Sequence, residues 1–231
     1  MSRNNVNFGL LLCALAILGL GLLQIFNGEI LAGRPISWPD GVPGKNVMAI
    51  GSGLLLIATG VSIVLRRIPL LAIITGVWIL LWAASRNLFF ILSNLDYGGM
   101  LTNTGKSLTL GAGTLLLASV MSPGKFNSNS LLGKLLKHSV TIARLFVGFF
   151  FLASGIQHFI FGEFVKGLVP GWIPGALFWT YFAGVALCAT GISLLTNIKS
   201  QLAATLAGWM VFAWLLVLHL PRAAGAFNNL N

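Results

Sequence analysis

Residues Phe8–Phe26 read FGLLLCALAILGLGLLQIF, nineteen positions without a charge, with Arg3 before them and Glu29 after them. As an α-helix this run would be about 28 Å long, close to the roughly 30 Å hydrocarbon core of a bilayer. It exceeds the length of a signal-peptide core, no small-residue cleavage site follows it, and Leu12 before Cys13 departs from a lipoprotein signal. It is therefore expected to be a retained membrane helix.

The rest of the chain repeats this texture. Apolar runs at Val47–Leu65, Ile68–Ser93, Ser107–Met121, Ser139–Phe161, Ala176–Thr196 and Gln201–Leu220 predict six further spans, the fourth of them short, with Lys106 snorkelling at its end. Of the 231 residues 57% are hydrophobic and 8% charged, and the mean hydropathy is +0.92. A soluble domain carries roughly 25% charged residues, so this chain lacks the charge to cover a water-facing surface. The expected fold class is all-α: a polytopic transmembrane helical bundle of about seven spans.

The net charge of +10 does not form a nucleic-acid stripe, because the fourteen Lys and Arg sit between apolar runs. Their expected partners are membrane lipids. Arg3, Arg66, Arg67, Lys125, Lys134, Lys137 and Lys199 fall on one face of the alternating topology, and Arg34, Lys45, Lys106, Lys166 and Arg222 on the other. That bias predicts a cytoplasmic N-terminus, most simply in a bacterial inner membrane. Cys13 and Cys188 each sit inside an apolar run without a CxxC partner, as small packing residues do.

Two halves of the chain match in register. Gly21, Gly28, Glu29 and Gly33 correspond to Gly155, Gly162, Glu163 and Gly167 at an offset of 134. Beyond a three-residue length change the offset becomes 131: Val42-Pro43-Gly44 pairs with Ile173-Pro174-Gly175, Ala58-Thr59-Gly60 with Ala189-Thr190-Gly191, and Trp78 with Trp209. The sequence thus predicts two parallel tandem repeats of a four-helix unit, arranged 4+3. Residues 1–121 would form the first unit, 122–138 a linker, and 139–231 a second unit with three helices.

Ser154-Gly155-Ile156-Gln157-His158-Phe159, then Val169-Pro170-Gly171-Trp172-Ile173-Pro174, then Tyr181 and Gly184 resembles the DoxX/DoxD-like family of small polytopic membrane proteins. The resemblance covers Ser139 to Arg222 well and the first half more faintly. It implies four-helix units and a link to membrane redox chemistry, since one named member is a subunit of a thiosulfate:quinone oxidoreductase. A quinone cofactor and a soluble oxidoreductase partner follow as expectations. Ala186-Leu187-Cys188 stands where many relatives carry an acid, and Arg222 where an Asn is common, which argues against an acid-dependent mechanism.

Ionisable residues at membrane depth are costly and are candidates for function. Arg86, His158, Glu163, His219 and Arg222 share one depth near the outer ends of spans and form the candidate polar cluster. Two imidazoles could ligate a haem or a metal, and two histidines with a glutamate satisfy a zinc count. Against that, a histidine at a helix end ordinarily hydrogen-bonds a carbonyl or a headgroup, and Glu163 has a local partner in Lys166 or a capping role in the loop. His158 matches Gln24 and His219 matches Leu88, so a duplicated metal site is excluded. Arg86 either snorkels or faces an anion or a quinone carbonyl. No Walker, GxSxG, HExxH or CxxC motif is present. Three functions fit this sequence: a membrane subunit of a quinone-linked redox system, a scaffold without catalysis, and a small-solute or lipid transporter.

Overall fold

The computed structural model describes residues 3–31, 43–88, 98–122, 124 and 126–228, and among them the regular structure is helical throughout. The helices are α1 (Arg3–Asn27), α2 (Lys45–Leu65), α3 (Pro69–Trp82), α4 (Gly99–Met121), α5 (Leu131–Ile160), α6 (Gly162–Lys166), α7 (Ala176–Thr196), α8 (Ser200–Trp214) and α9 (Leu220–Asn228). Widened π-helical turns, Ala83–Leu88 and Leu215–His219, continue α3 and α8. Five helical stretches are long and apolar enough to cross a bilayer: Asn7–Asn27, Lys45–Leu65, Leu131–Ile160, Ala176–Thr196 and Ser200–Gly225. The protein is an integral membrane protein. Its chain divides into two compact units, Met1–Phe146 and Val147–Asn231, with the division inside α5.

In unit 1, α1 and α2 cross where glycine removes the side chain. A Cβ at Gly21 would stand 2.7 Å from the Gly53 carbonyl oxygen, and one at Gly60 would stand 2.9 Å from the Ala14 carbonyl oxygen. In lipid there is no hydrophobic force between helices, so such close backbone approach supplies the packing attraction. Leu10, Ala14, Ile17, Leu56 and Ile63 of this pair form one buried cluster with Ile79 of α3 and Met121 of α4. α3 meets α4 in the same manner: a Cβ at Gly76 would stand 2.9 Å from the Gly111 carbonyl oxygen.

The buried hydroxyls of Thr59, Ser62 and Thr75 are satisfied within the bundle, as a medium without water requires. Thr59 and Thr75 share a hydrogen bond of 2.7 Å between α2 and α3. The α2–α3 turn is closed by Ser62, whose hydroxyl accepts from the Ile68 amide at 3.0 Å and donates to the Ile68 carbonyl at 2.9 Å. Arg66 takes the left-handed conformation there, with φ 52.

Two elements differ from the sequence reading, and the end of a third lies outside the described residues. The fourth span was expected from Ser107, whereas α4 begins at Gly99. Its polar start is tolerated because the hydroxyls of Thr102, Thr104 and Ser107 donate to the carbonyls of Gly98, Met100 and Asn103 one turn back. The third span was expected to run to Ser93; its described part is α3 and the π-helical turn to Leu88, and residues 89–97 lie outside the described residues. The fifth was expected from Ser139, but α5 begins at Leu131, within the stretch read as linker. There Leu136 packs with Ala72, Ile73, Leu115 and Ala118.

Unit 2 has its own glycine crossing, between α5 and α7. A Cβ at Gly155 would stand 2.7 Å from the Cys188 amide nitrogen and 2.8 Å from the Gly184 carbonyl oxygen, and one at Gly191 would stand 2.8 Å from the Gly148 carbonyl oxygen. The turn into α8 uses left-handed Asn197 and Lys199, with φ 61 and 50. The π-helical turn after Trp214 ends two residues before Pro221. Proline has no amide proton and crowds the carbonyl four residues back, so a widened turn is a fitting place to receive it.

Candidate functional site

The end of unit 2 where α5 gives way to α6 carries most of the polar residues singled out by the sequence. His158 lies in the last turn of α5, and its Nδ1 is 2.7 Å from the Ser154 carbonyl oxygen. A carbonyl only accepts, so Nδ1 is the donor and Nε2 is the remaining polar atom of the ring. The imidazole stacks on Trp214 of α8, with centroids 6.5 Å apart and planes at 23°. The neighbouring Phe159 stacks on Tyr181 of α7 at 5.6 Å and 7°. Glycine makes this arrangement possible: a Cβ at Gly184 would stand 2.9 Å from the His158 Cβ and 3.0 Å from the Phe159 ring. A Cβ at Gly162 would stand 3.1 Å from the Tyr181 hydroxyl.

The other predicted residues have different partners. Glu163 pairs with Lys166 at 2.6 Å on the exposed face of α6. Arg222, in the first turn of α9, donates from Nη2 to the Leu168 carbonyl at 2.7 Å, tying the start of that helix to the segment after α6. His219 is exposed in the π-helical turn. Neither Glu163 nor His219 bonds to His158, and among the described residues no group of three His, Cys, Asp or Glu could hold a metal ion. Arg86 falls in the first π-helical turn, and its side chain lies outside the described residues.

One end of unit 1 is organised around Gln24, which the sequence reading did not count among the candidate residues. Its side chain is fully buried; Nε2 donates to the Ala49 carbonyl at 3.2 Å and to the Ser52 hydroxyl, and Oε1 accepts from the Leu31 amide at 3.0 Å. Glu29 pairs with Lys45 at 2.7 Å. The signal for Gln24 was its amide within an otherwise apolar helix, which in lipid must find partners in the protein. The signal for Trp214 was weaker, since an aromatic residue near a span's end reads first as an interfacial anchor. Comparison with known protein families, with curated proteins and with solved structures finds no match to this chain.

Proposed function

We propose that this protein is the membrane subunit of a quinone-linked redox system, built from two parallel tandem units in about seven spans, with a bacterial inner-membrane location and a cytoplasmic N-terminus. The ligand site is the aromatic layer at the end of unit 2. Duplication is supported by the matched glycine contacts: at the sequence offsets of 134 and 131, Gly21, Gly53 and Gly60 correspond to Gly155, Gly184 and Gly191.

The observation that carries the functional reading is what changes between the units. At the same offsets Gln24, Ile25, Ile50 and Ala83 of unit 1 become His158, Phe159, Tyr181 and Trp214 of unit 2. Unit 1 closes this level with a buried amide bonded to the next helix. In unit 2 the counterpart of Ser52 is Ala183, and Thr180, the counterpart of Ala49, spends its hydroxyl on the Ala176 carbonyl at 2.9 Å. Among the described residues His158 therefore has no cross-helix hydrogen-bond partner, which leaves Nε2 for a ligand. Flat aromatic faces beside an imidazole suit a planar lipid-soluble ring with oxygen at its edge. A neutral imidazole would accept a hydrogen bond from a ring hydroxyl, and a charged one would donate to a ring carbonyl.

The test is the organic extract of protein purified in mild detergent, with its ultraviolet–visible spectrum. Quinone at a stoichiometric level, lost in a stably inserted His158→Ala or Trp214→Ala protein, supports the proposal. Extracts containing only bulk lipid reject it and favour the second reading, a scaffold without catalysis. That reading is favoured by one observation: Gly155 and Gly184, which carry the family resemblance, are spent on helix contact.

A further inference from the structure

We infer that the end of unit 1 formed by the α2–α3 turn and the first two turns of α5 seats anionic phospholipid headgroups. The inference is independent of the quinone reading and concerns the opposite end of α5 from His158.

The length of α5 is the first observation. Its 30 residues span about 45 Å, whereas the hydrocarbon core is roughly 30 Å thick. With Ile160 at one boundary, about ten residues at the start of α5 stand in the headgroup layer or beyond it. That stretch is amphipathic. Leu132, Leu135 and Leu136 pack with Ala72, Ile73, Leu115, Ala118 and Phe126, while Lys134, Lys137 and His138 are exposed. The apolar contact fixes the helix's rotation, so the two ammonium groups face away from the protein.

The second observation is the adjoining turn. α3, which supplies Ala72 and Ile73 to that contact, starts at Pro69, two residues after Arg67. Arg66 and Arg67 are exposed on a backbone held by Ser62 and by the Arg67 amide bonding to the Ser62 carbonyl at 3.2 Å. Arg66 is committed to Asn7 Oδ1 at the start of α1. Arg67, Lys134 and Lys137 have no carboxylate partner among the described residues. The two described carboxylates, Glu29 and Glu163, sit at the other ends of α1 and α5 and are paired with Lys45 and Lys166.

Three cations without a carboxylate partner among the described residues, on elements joined by the Leu136 contact, call for anions. Leu131, 82% exposed, flanks Lys134 one turn away. An exposed leucine beside exposed lysines suits the boundary between phosphates and acyl chains better than a water-facing acidic protein. Lipid phosphate is therefore the occupant. Unit 2 offers a contrast, because the corresponding turn before α8 carries only Lys199.

The experiment uses the full chain in nanodiscs of mixed phosphatidylglycerol and phosphatidylcholine, with the lipids retained after detergent exchange counted by native mass spectrometry. The wild type is expected to retain phosphatidylglycerol preferentially, and less so at high salt. Arg67→Gln, Lys134→Gln and Lys137→Gln are each expected to lower that preference roughly fivefold. Lys134→Arg and Lys137→Arg should preserve it, and Lys199→Gln should leave it unchanged. Equal retention of the two lipids by the wild type overturns the inference, as does a loss in Lys199→Gln equal to that in Lys134→Gln. If the lipids are retained equally while the Gln variants lose a co-purifying acidic protein, the surface serves a protein and the inference fails.

Discussion

Gly155→Ala is the substitution whose cost the geometry defines best. The added methyl would stand 2.5 Å from Cys188 Sγ, 2.7 Å from the Cys188 amide nitrogen and 2.8 Å from the Gly184 carbonyl oxygen. Two of these three neighbours are backbone and cannot rotate away. To reach ordinary contact at 3.4 Å, α5 and α7 must part by about 0.7 Å, the difference between 3.4 and 2.7 Å. A gap of that size forfeits a quarter to a half of the dispersion attraction for the atoms along the crossing. The loss should fall in the overpacking range of about 1–3 kcal/mol. Gly148→Ala should cost less, because its nearest neighbours, at 3.0 Å and beyond, are side-chain atoms of Leu195 and Leu194. Gly19→Ala, with nothing within 4 Å, should stay within about 0.5 kcal/mol of the wild type. Adding Cys188→Ala to Gly155→Ala removes only the sulfur contact and should restore a minor part of the loss. Reversible unfolding in bicelles, followed by steric trapping, orders the series. Equal stability of Gly155→Ala and Gly19→Ala would refute the backbone-contact account of unit 2.

Gln24→Leu should cost about 1–3 kcal/mol, because the Leu31 amide and the Ser52 hydroxyl lose a partner at a buried site. Its local signature is faster hydrogen exchange at the Leu31 amide, and unchanged exchange there would show that the side chain does not hold the turn. Glu163→Gln should change stability by no more than about 1 kcal/mol, since the ion pair with Lys166 lies on an exposed face. A drop beyond 2 kcal/mol, read in the same bicelle assay, would mean that Glu163 has a partner other than Lys166.

The spans that the sequence placed well are apolar along their whole length. Ala176–Thr196 coincides with α7, and Val47–Leu65 differs from α2 by two residues at one end. Apolar runs reveal such helices because hydrocarbon selects the side chains directly. α4 and the start of α5 were harder to read for the opposite reason. Thr102, Thr104 and Ser107 satisfy their hydroxyls on their own helix, and Leu131–His138 is held by protein contact with lysines facing outward. A hydropathy window registers neither. At the candidate site, sequence correctly raised the carbonyl as a partner for His158 and Lys166 as a partner for Glu163. Trp214 was out of reach, since fifty-six positions separate it from His158 and no spacing rule joins α5 to α8.

The two units set a constraint on function that neither gives alone. On the inferred duplication, the glycine crossings are kept to the backbone atom: Gly21 faces Gly53 and Ile57, and Gly155 faces Gly184 and Cys188. A scaffold needs those crossings and nothing more. It does not need the fully buried Ala83 to become Trp214, or a Gln24 that bonds across helices to become a His158 that, among the described residues, bonds only within its own. Each change gives up packing or a cross-helix tie at the level where its partners change as well. The Thr59–Thr75 tie of unit 1 is absent from unit 2 as well, where Thr190 donates to the Ala186 carbonyl of its own helix and Leu206 stands at the position of Thr75. What sets the His158 level apart is that aromatic rings replace the lost tie, and on the proposed reading that replacement is what a ligand would use.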